Sequence, residues 1–484
     1  MSRVLLIHPN KWGRGITAIW VASHASVLKK RGHEVRLFDA TFYPSWTENE
    51  NRFNTENMQY RPTDYEKVIF WKKTDIHQDL QDMADDFDPD IIFWGGLSSH
   101  IHGEGEYSSV QYGHELVRSL KTRACKLAAG LQATADPLLV LRLFPCIDAI
   151  IGGESELVLS RIADQVGSGK YEPASVPGLA YRVNPEEASV NPPQEIITNL
   201  DEIAPYDYSL FDDMSLWRPY NGRVVKAVDY ELSRGCPYSC SYCVETVIQR
   251  YYGFQKLLKR GVISGAKGYL RHKSGRMAFA EIAGLAGERG VSLFRCQDTN
   301  FLTIDRKTLE ELADLMNNAD LQVQLYIETR PEGINPDSVS LLKRLRVDGI
   351  GMGIELAAQD VRESRLNRFS DSKQIVNAFA LLRENGIKRT AYNVIGFPGQ
   401  DEKSIRETID LNRELDPDNI TVAFYTPFLG TALQERAVDE GQFADYEFDL
   451  DAQLRTVTHH SGLSRDLLRY YKENFVRLCR APGE

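Results

Sequence analysis

The chain has 484 residues, too many for one ordinary domain and enough for two or three. Its 57 basic and 68 acidic residues leave a net charge of −11, which argues against broad nucleic-acid binding, a function that usually needs a basic surface. With 42% hydrophobic and 26% charged residues the composition is that of a soluble globular protein. No run approaches the roughly 20 apolar residues of a membrane helix, and "MSRVLLIHPN" is too short an apolar run for a signal peptide, so no membrane and a cytoplasmic location are expected.

The first 170 or so residues repeat a strand-then-helix rhythm. Strands are predicted at 4–9, 34–40, 89–99, 125–132 and 147–156, with helices at 19–31, 107–122, 136–144 and 155–167. Near-continuous apolar strands alternating with helices predict a doubly wound parallel sheet covered on both faces, here over residues 1–175. Such sheets bind ligands beyond the carboxyl ends of their strands. Those ends carry "HPNKWGRG", "WGGLSS", "AGLQAT" and "GGESE". Any one of these is read most simply as a tight turn, but four on one edge predict a ligand cleft.

Residues 176–225 are rich in proline and acid and lack periodicity, as a connecting hairpin and linker would. A second rhythm follows, with strands at 228–234, 291–298, 321–330, 349–355, 389–397 and 419–427 and helices between them. Six strands with helical crossovers predict a parallel barrel, or part of one, over residues 226–428, its active face where the strands end. A helical region, 429–484, completes the chain.

Cys236, Cys240 and Cys243, three of only seven cysteines, crowd into one loop after the first barrel strand. With few cysteines and no secretory signal, close cysteines bind metal more often than they form disulfides. A closed structural zinc site needs a fourth ligand, and a catalytic disulfide leaves one thiol unexplained. A four-iron cluster held by three cysteines leaves one iron open to a substrate or cosubstrate.

"CPYSCSYC" resembles the CxxxCxxC signature of radical S-adenosylmethionine (SAM) enzymes, with an aromatic residue, Tyr242, before the last cysteine. "FRCQDTNF", "YIETRPEGI", "GIGMGIELA", "NVIGFPGQDEKSI" and "YTPFLGTAL" resemble successive barrel motifs of that superfamily. "GGLSS", "AGLQAT" and "IIGGESELVLSRIADQV" are similar to the Rossmann-like cobalamin-binding domain fused to one branch of it, and "SVPGLAYR" to that branch's connecting hairpin. The resemblance runs from Val4 to about Leu433 and leaves out 41–75, 244–270 and the tail. It implies an α/β protein with a cobalamin-binding domain, a partial (β/α)6 radical SAM barrel and a helical tail.

Carried over by residue, the resemblance gives Cys236, Cys240 and Cys243 to a 4Fe–4S cluster whose fourth iron chelates SAM. Tyr242, Gln297, Asp298, Glu328, Arg330, Gly353 and Glu355 become SAM contacts. Pro9, Asn10, Gly15, Gly95, Gly96, Ser98, Ser99, Gly130, Gln132, Gly152, Gly153 and Glu154 become cobalamin contacts. The Asp-x-His-x-x-Gly motif of cobalamin-dependent mutases is absent, and His100 and His102 lack its spacing, so cobalt without a histidine ligand is expected.

The cofactors imply methylation of an unactivated carbon (or phosphorus) of a small metabolite, through a 5′-deoxyadenosyl radical and methylcobalamin. Cyclisation, ring contraction or another radical rearrangement uses the same motifs, and a cobalamin or redox sensor without turnover is the reading from another class. An electron donor such as flavodoxin or ferredoxin is an implied partner. The segment after Cys243 carries Arg250, Lys256, Lys259, Arg260, Lys267, Arg271, Lys273 and Arg276 against Glu245. Most charge runs are solvated faces, but this one leaves the cysteine loop directly. An anionic substrate held partly by Arg250 and Arg271 is the expectation.

Overall fold

In the computed structural model, described over residues 1–48, 50–96, 106–203, 205–254, 256, 258–441 and 462–481, the chain forms two seven-stranded sheets. The first holds β1 (Arg3–His8), β2 (Glu34–Asp39), β3 (Ile91–Trp94), β4 (Cys125–Ala129) and β5 (Ala149–Ile151) in the parallel order β2-β1-β3-β4-β5. Every residue of β3 and β5 is buried, because apolar clusters fill the space on both faces. A hairpin of β6 (Leu179–Asn184) and β7 (Glu187–Val190) extends the sheet antiparallel beyond β5.

The second sheet runs β16-β15-β14-β13-β12-β9-β8. Its members are β8 (Trp217–Tyr220), β9 (Arg223–Tyr230), β12 (Leu293–Cys296), β13 (Gln324–Thr329), β14 (Val347–Glu355), β15 (Lys388–Ile395) and β16 (Asn419–Phe424). From β9 onward neighbours are parallel, so these six strands and their crossovers form an open half-barrel, edged by the β8–β9 hairpin. Between β9 and β12, β10 (Ser233–Arg234) pairs antiparallel with β11 (Arg271–His272) and closes the base of the cysteine segment.

Two regions lie outside the predicted elements. The helix Ile76–Phe87 buries Ile76, Leu80, Ala84 and Phe87 along one face at helical spacing, and starts where Asp75 accepts from the amides of His77 and Gln78. Residues 41–75 include the helix Glu50–Glu56 and then cross to the half-barrel, where Gln59 accepts from the amide of Val422 at 2.9 Å and Arg61 donates to the carbonyl of Asp418 at 3.1 Å. Of the tail, Ala432–Asp439 and Arg465–Arg480 are helices; the second packs Leu468, Tyr471, Phe475 and Cys479 against β16 and the helix Glu402–Leu415. Among the described residues no helix is long and apolar enough to cross a membrane.

Candidate functional site

The cysteine loop is held rigidly over the ends of the half-barrel strands. Gly235, at φ +92°, makes its first turn; a Cβ there would lie 2.5 Å from the carbonyl of Tyr269, so only glycine fits. Glu245 accepts from the amide of Cys236 at 3.1 Å, and Gln249 donates to the carbonyls of Cys236 and Tyr238. On the far side Asn367 donates to the carbonyl of Ser239, and Ser241 to that of Arg365. The loop is thus clamped between the helix Glu245–Tyr251 and the segment after β14.

Beneath it lies a cavity of 340 Å³ walled by Cys236, Cys240 and Cys243 and by side chains from strand ends. Gln297, Glu328, Arg330, Gly353, Glu355 and Tyr242 all line it. Arg330 points Nη1 at the Cys240 sulfur at 3.8 Å, lies 3.9 Å over the Tyr238 ring and pairs with Glu332 at 2.6 Å. Glu355 sits at φ +65° where the β14–β15 register slips, and this bulge turns its carboxylate into the cavity to accept from the Tyr242 hydroxyl at 2.9 Å. A non-glycine residue held there stores strain of order 1 kcal/mol, and such strain collects at functional sites. Gly353 leaves room for that carboxylate and for Arg368, which donates to the Gly353 carbonyl at 2.6 Å.

Cys236, Cys240 and Cys243 border one cavity, which suits three ligands of a cluster with one iron left open. Among the described residues no group of three or more His, Cys, Asp or Glu converges on one metal position, whereas the thiolates of a cluster bind different irons and need no common point. Burial, with Glu245 close by, pushes the Cys236 thiol up to about 12, so a thiolate there requires a metal partner.

Asp298 lies outside this cavity. Its Oδ1 accepts from the amides of Leu232 and Ser233 and from the Ser233 hydroxyl, so it braces the turn between β9 and β10. Burial pushes its carboxyl up to about 7.

In the first domain the glycine loops meet the chain itself. A Cβ on Gly152 would lie 2.8 Å from the Tyr251 hydroxyl, and one on Gly153 2.7 Å from the Tyr251 ring; Tyr252 covers Gly153 as well and accepts from the amide of Glu154. A Cβ on Gly15 would meet Ser215 and Trp217 carbonyls, one on Gly95 the Ala129 carbonyl, and one on Gly96 the rings of Trp20, His24 and Phe93. Asn10 is buried, bonded to Thr41 and to the backbone of Arg14 and Trp12, with Pro9 buried beside it. Gly130 and Gln132 start the short helix Leu131–Ala135, which packs on Glu245–Tyr251 and sets this sheet edge beside the cysteine loop. Ser98, Ser99, His100 and His102 lie outside the described residues.

The basic segment does not converge on the cavity. Arg271 is buried, with Nη1 2.8 Å from Glu154 and bonded to the Ile197 carbonyl, and Lys273 is buried 2.6 Å from Glu281. Arg250 is exposed and pairs with Glu435 at 2.7 Å. Glu154 and Arg271 belong to a network between the domains in which Arg234 lies 2.6 Å from Glu156 and 2.8 Å from Glu231. These groups form a buried ion-pair network that ties the two domains together.

Sequence reasoning missed several cavity residues. Tyr238 sits inside the quoted cysteine motif and could have been chosen as a platform for Arg330. Arg295 and Tyr392 alternate inward along β12 and β15, a period-two signal. Arg368 had no local signal, because it reaches the cavity from a loop.

Residues 230–411 match the Radical SAM superfamily. The anaerobic magnesium-protoporphyrin IX monomethyl ester cyclase of Rubrivivax gelatinosus is 25% identical over 456 residues, covering 92% of this chain and 72% of that one. The radical SAM methyltransferase TsrM of Kitasatospora setae, solved with cobalamin and a 4Fe–4S cluster, superposes with a TM-score of 0.67 at 17% identity, covering 92% of this chain and 80% of that one. The cobalamin-dependent SAM radical enzyme OxsB, solved with aqua-cobalamin and SAM, gives 0.58 at 16% identity over 91% of this chain and 56% of that one.

Proposed function

We propose, from the match of residues 230–411 to the Radical SAM superfamily, that the chain is a cobalamin-dependent radical SAM enzyme that methylates an unactivated carbon (or phosphorus) of a small metabolite. The observation that carries this reading is the single cavity in which the three cysteines face Tyr242, Arg330 and Glu355. Cys236, Cys240 and Cys243 would hold the 4Fe–4S cluster; the edge of the first sheet, set beside the cysteine loop, is where cobalamin would lie. With both bound, the site supplies reductive cleavage of SAM to a 5′-deoxyadenosyl radical and a methyl group for transfer.

The chain's own residues position the ligands. Glu355, fixed by the bulge and by Tyr242, offers a carboxylate to a ligand hydroxyl or ammonium, and Arg330 and Arg368 offer guanidiniums to a carboxylate. Glu328, bonded to the Tyr392 hydroxyl at 3.1 Å, gives the inner wall a proton acceptor. The cysteine loop lies over one side of the cavity. A low-potential one-electron donor such as flavodoxin or ferredoxin starts the reaction.

Cyclisation or another radical rearrangement is the second reading, favoured by the likeness to the Rubrivivax cyclase across nearly the whole chain. Anaerobic incubation with methyl-deuterated SAM and a protein-free metabolite extract separates the two. Label entering a product is expected for methylation; a new product without label would establish the rearrangement. Absence of 5′-deoxyadenosine in every condition would overturn both.

A further inference from the structure

A second cavity, of 160 Å³, opens at the amino-terminal side of the half-barrel. Arg295, Tyr392 and Thr421 line both it and the cysteine cavity, so the two adjoin along the barrel interior. Its wall includes Arg14, Arg61, Arg218 and Arg295 and no aspartate or glutamate. Two carboxylates sit close behind: Asp229 takes both Nη atoms of Arg218 and lies 3.8 Å from Arg295, and Asp348 is held by Tyr220 and by Lys388 at 2.8 Å. Neither faces the space.

Four tyrosines, Tyr60, Tyr220, Tyr326 and Tyr392, share the rest of the wall with amide, hydroxyl and aliphatic side chains. Tyr326 and Tyr392 place their hydroxyls 2.9 Å apart, and Tyr392 reaches on to Glu328 of the cysteine cavity. Tyr392 can stand at this junction because residue 351 is glycine: a Cβ there would lie 2.6 Å from its hydroxyl oxygen.

We propose that this cavity binds the carboxylate end of the substrate, a planar or aromatic carboxylate whose remainder passes Arg295 and Tyr392 toward the cysteines. Guanidinium forks match a carboxylate two bonds at a time, and tyrosine faces pack a flat, conjugated body. The space is smaller than the roughly 300–1,000 Å³ of a whole ligand site, so it holds one end of a molecule. Arg61 comes from the 41–75 excursion of the first domain, so that excursion completes the site. The anionic-substrate expectation thus moves from the segment after Cys243 to the other mouth of the barrel. The role as substrate site rests on the radical SAM reading; the binding itself does not.

The probe is 4-fluorobenzoate, with neutral 4-fluorobenzamide as its control, titrated by fluorine NMR against the full, anaerobically reconstituted chain. The benzoate is expected to bind at least tenfold more tightly than the amide. Arg61→Gln and Arg295→Gln should each weaken the benzoate at least threefold and leave the amide unchanged. Arg61 is exposed, so its variant folds even if the Arg295 variant does not. Equal binding of benzoate and benzamide, or an Arg61→Gln protein that binds benzoate as the wild type does, overturns the proposal. So does displacement of the benzoate by inorganic phosphate at lower concentration than by unlabelled benzoate. Formation of 5′-deoxyadenosine is read separately: its absence alongside intact benzoate binding would sink the enzymatic reading and leave the carboxylate site standing.

Discussion

At the strand ends of the half-barrel, charged side chains from β13 and β14 border an open cavity; at those of the first sheet, glycine loops close against Tyr251, Tyr252, Trp20 and the linker carbonyls. Both sheets are parallel, and both place their loops on the edge where ligands bind in such folds. The difference shows what a glycine-rich loop can and cannot say. A missing Cβ serves a neighbouring tyrosine as well as it serves a cofactor, so its presence leaves the occupant undetermined. Three cysteines and an Arg held against one of their sulfurs have no comparable packing explanation.

The largest effect that would test this contrast is loss of a cysteine from the cavity. Cys243→Ala, Cys240→Ala and Cys236→Ala should each lose the bound iron, about four atoms by assay, and reduce 5′-deoxyadenosine to background. Cys125 and Cys146 pack against the first domain's core, and their alanine variants should retain both. If Cys243→Ala still cleaved SAM, the open cavity would carry no more chemistry than the closed loops.

The next effect lies between the two regions. Arg234 is fully buried beside Glu154, Glu156 and Glu231, and Arg234→Met would strand Glu156 and Glu231 without their shared cation, while Glu154 keeps Arg271. Breaking a buried pair from one side costs about 3–5 kcal/mol, so denaturant unfolding should show a loss of that size. Arg271→Gln should likewise lower stability and leave substrate affinity alone. A rise in the Michaelis constant without loss of stability would return Arg271 to the substrate.

How far the sequence reached follows from the same contrast. The strands from β12 to β16 were legible because each is a short segment rich in aliphatic, aromatic and β-branched residues set between helical stretches, and their ends located Gln297, Glu328, Arg330 and Glu355 at one cavity. β8 was not legible: "WRPY" is a short edge strand containing proline, and only pairing with β9 makes it one. β10 and β11 are two residues each and have no periodicity to read. Asp298 occupies a strand end like its neighbours, but its carboxylate turns back to the β9–β10 turn, a choice made by hydrogen bonds to residues 65 and 66 positions earlier. Arg271 and Lys273 read as part of a basic segment that meets the substrate because nothing local shows that Glu154 and Glu281 are their partners.

Asp298 gives the third test. Its carboxyl is raised from an ordinary 3.8 to about 7 by burial, with Glu231 adding to the rise and bonds from Ser233 and Leu232 opposing it. Between about pH 4 and 7 the unfolded chain releases this proton and the folded chain keeps it. Stability therefore falls as the pH rises through that window and is level, for this group, above it. Asp298→Asn keeps the accepting oxygen and removes the titration. The gap between wild type and variant should shift by on the order of 3 kcal/mol across the window in urea unfolding. Parallel curves from pH 4 to 7 would mean that Asp298 ionises normally.

The smallest effect separates the two arginine surfaces near the half-barrel. Arg250 is 46% exposed at its side chain and 2.7 Å from Glu435, itself 49% exposed, on the outer side of the cysteine loop. Exposed pairs of this kind contribute about 0–1 kcal/mol, because water screens them and two long side chains must be ordered. It lines a different cavity, shared with Ser239, Ser241 and Arg436, which the three cysteines do not border. Arg250→Gln should therefore change stability by less than about 1 kcal/mol. It should leave both 4-fluorobenzoate affinity and 5′-deoxyadenosine formation at wild-type levels, while Arg295→Gln weakens the benzoate. The opposite ranking, with benzoate lost in Arg250→Gln and kept in Arg295→Gln, would put the anion on the outer face and make the basic segment, after all, the part of this chain that meets its substrate.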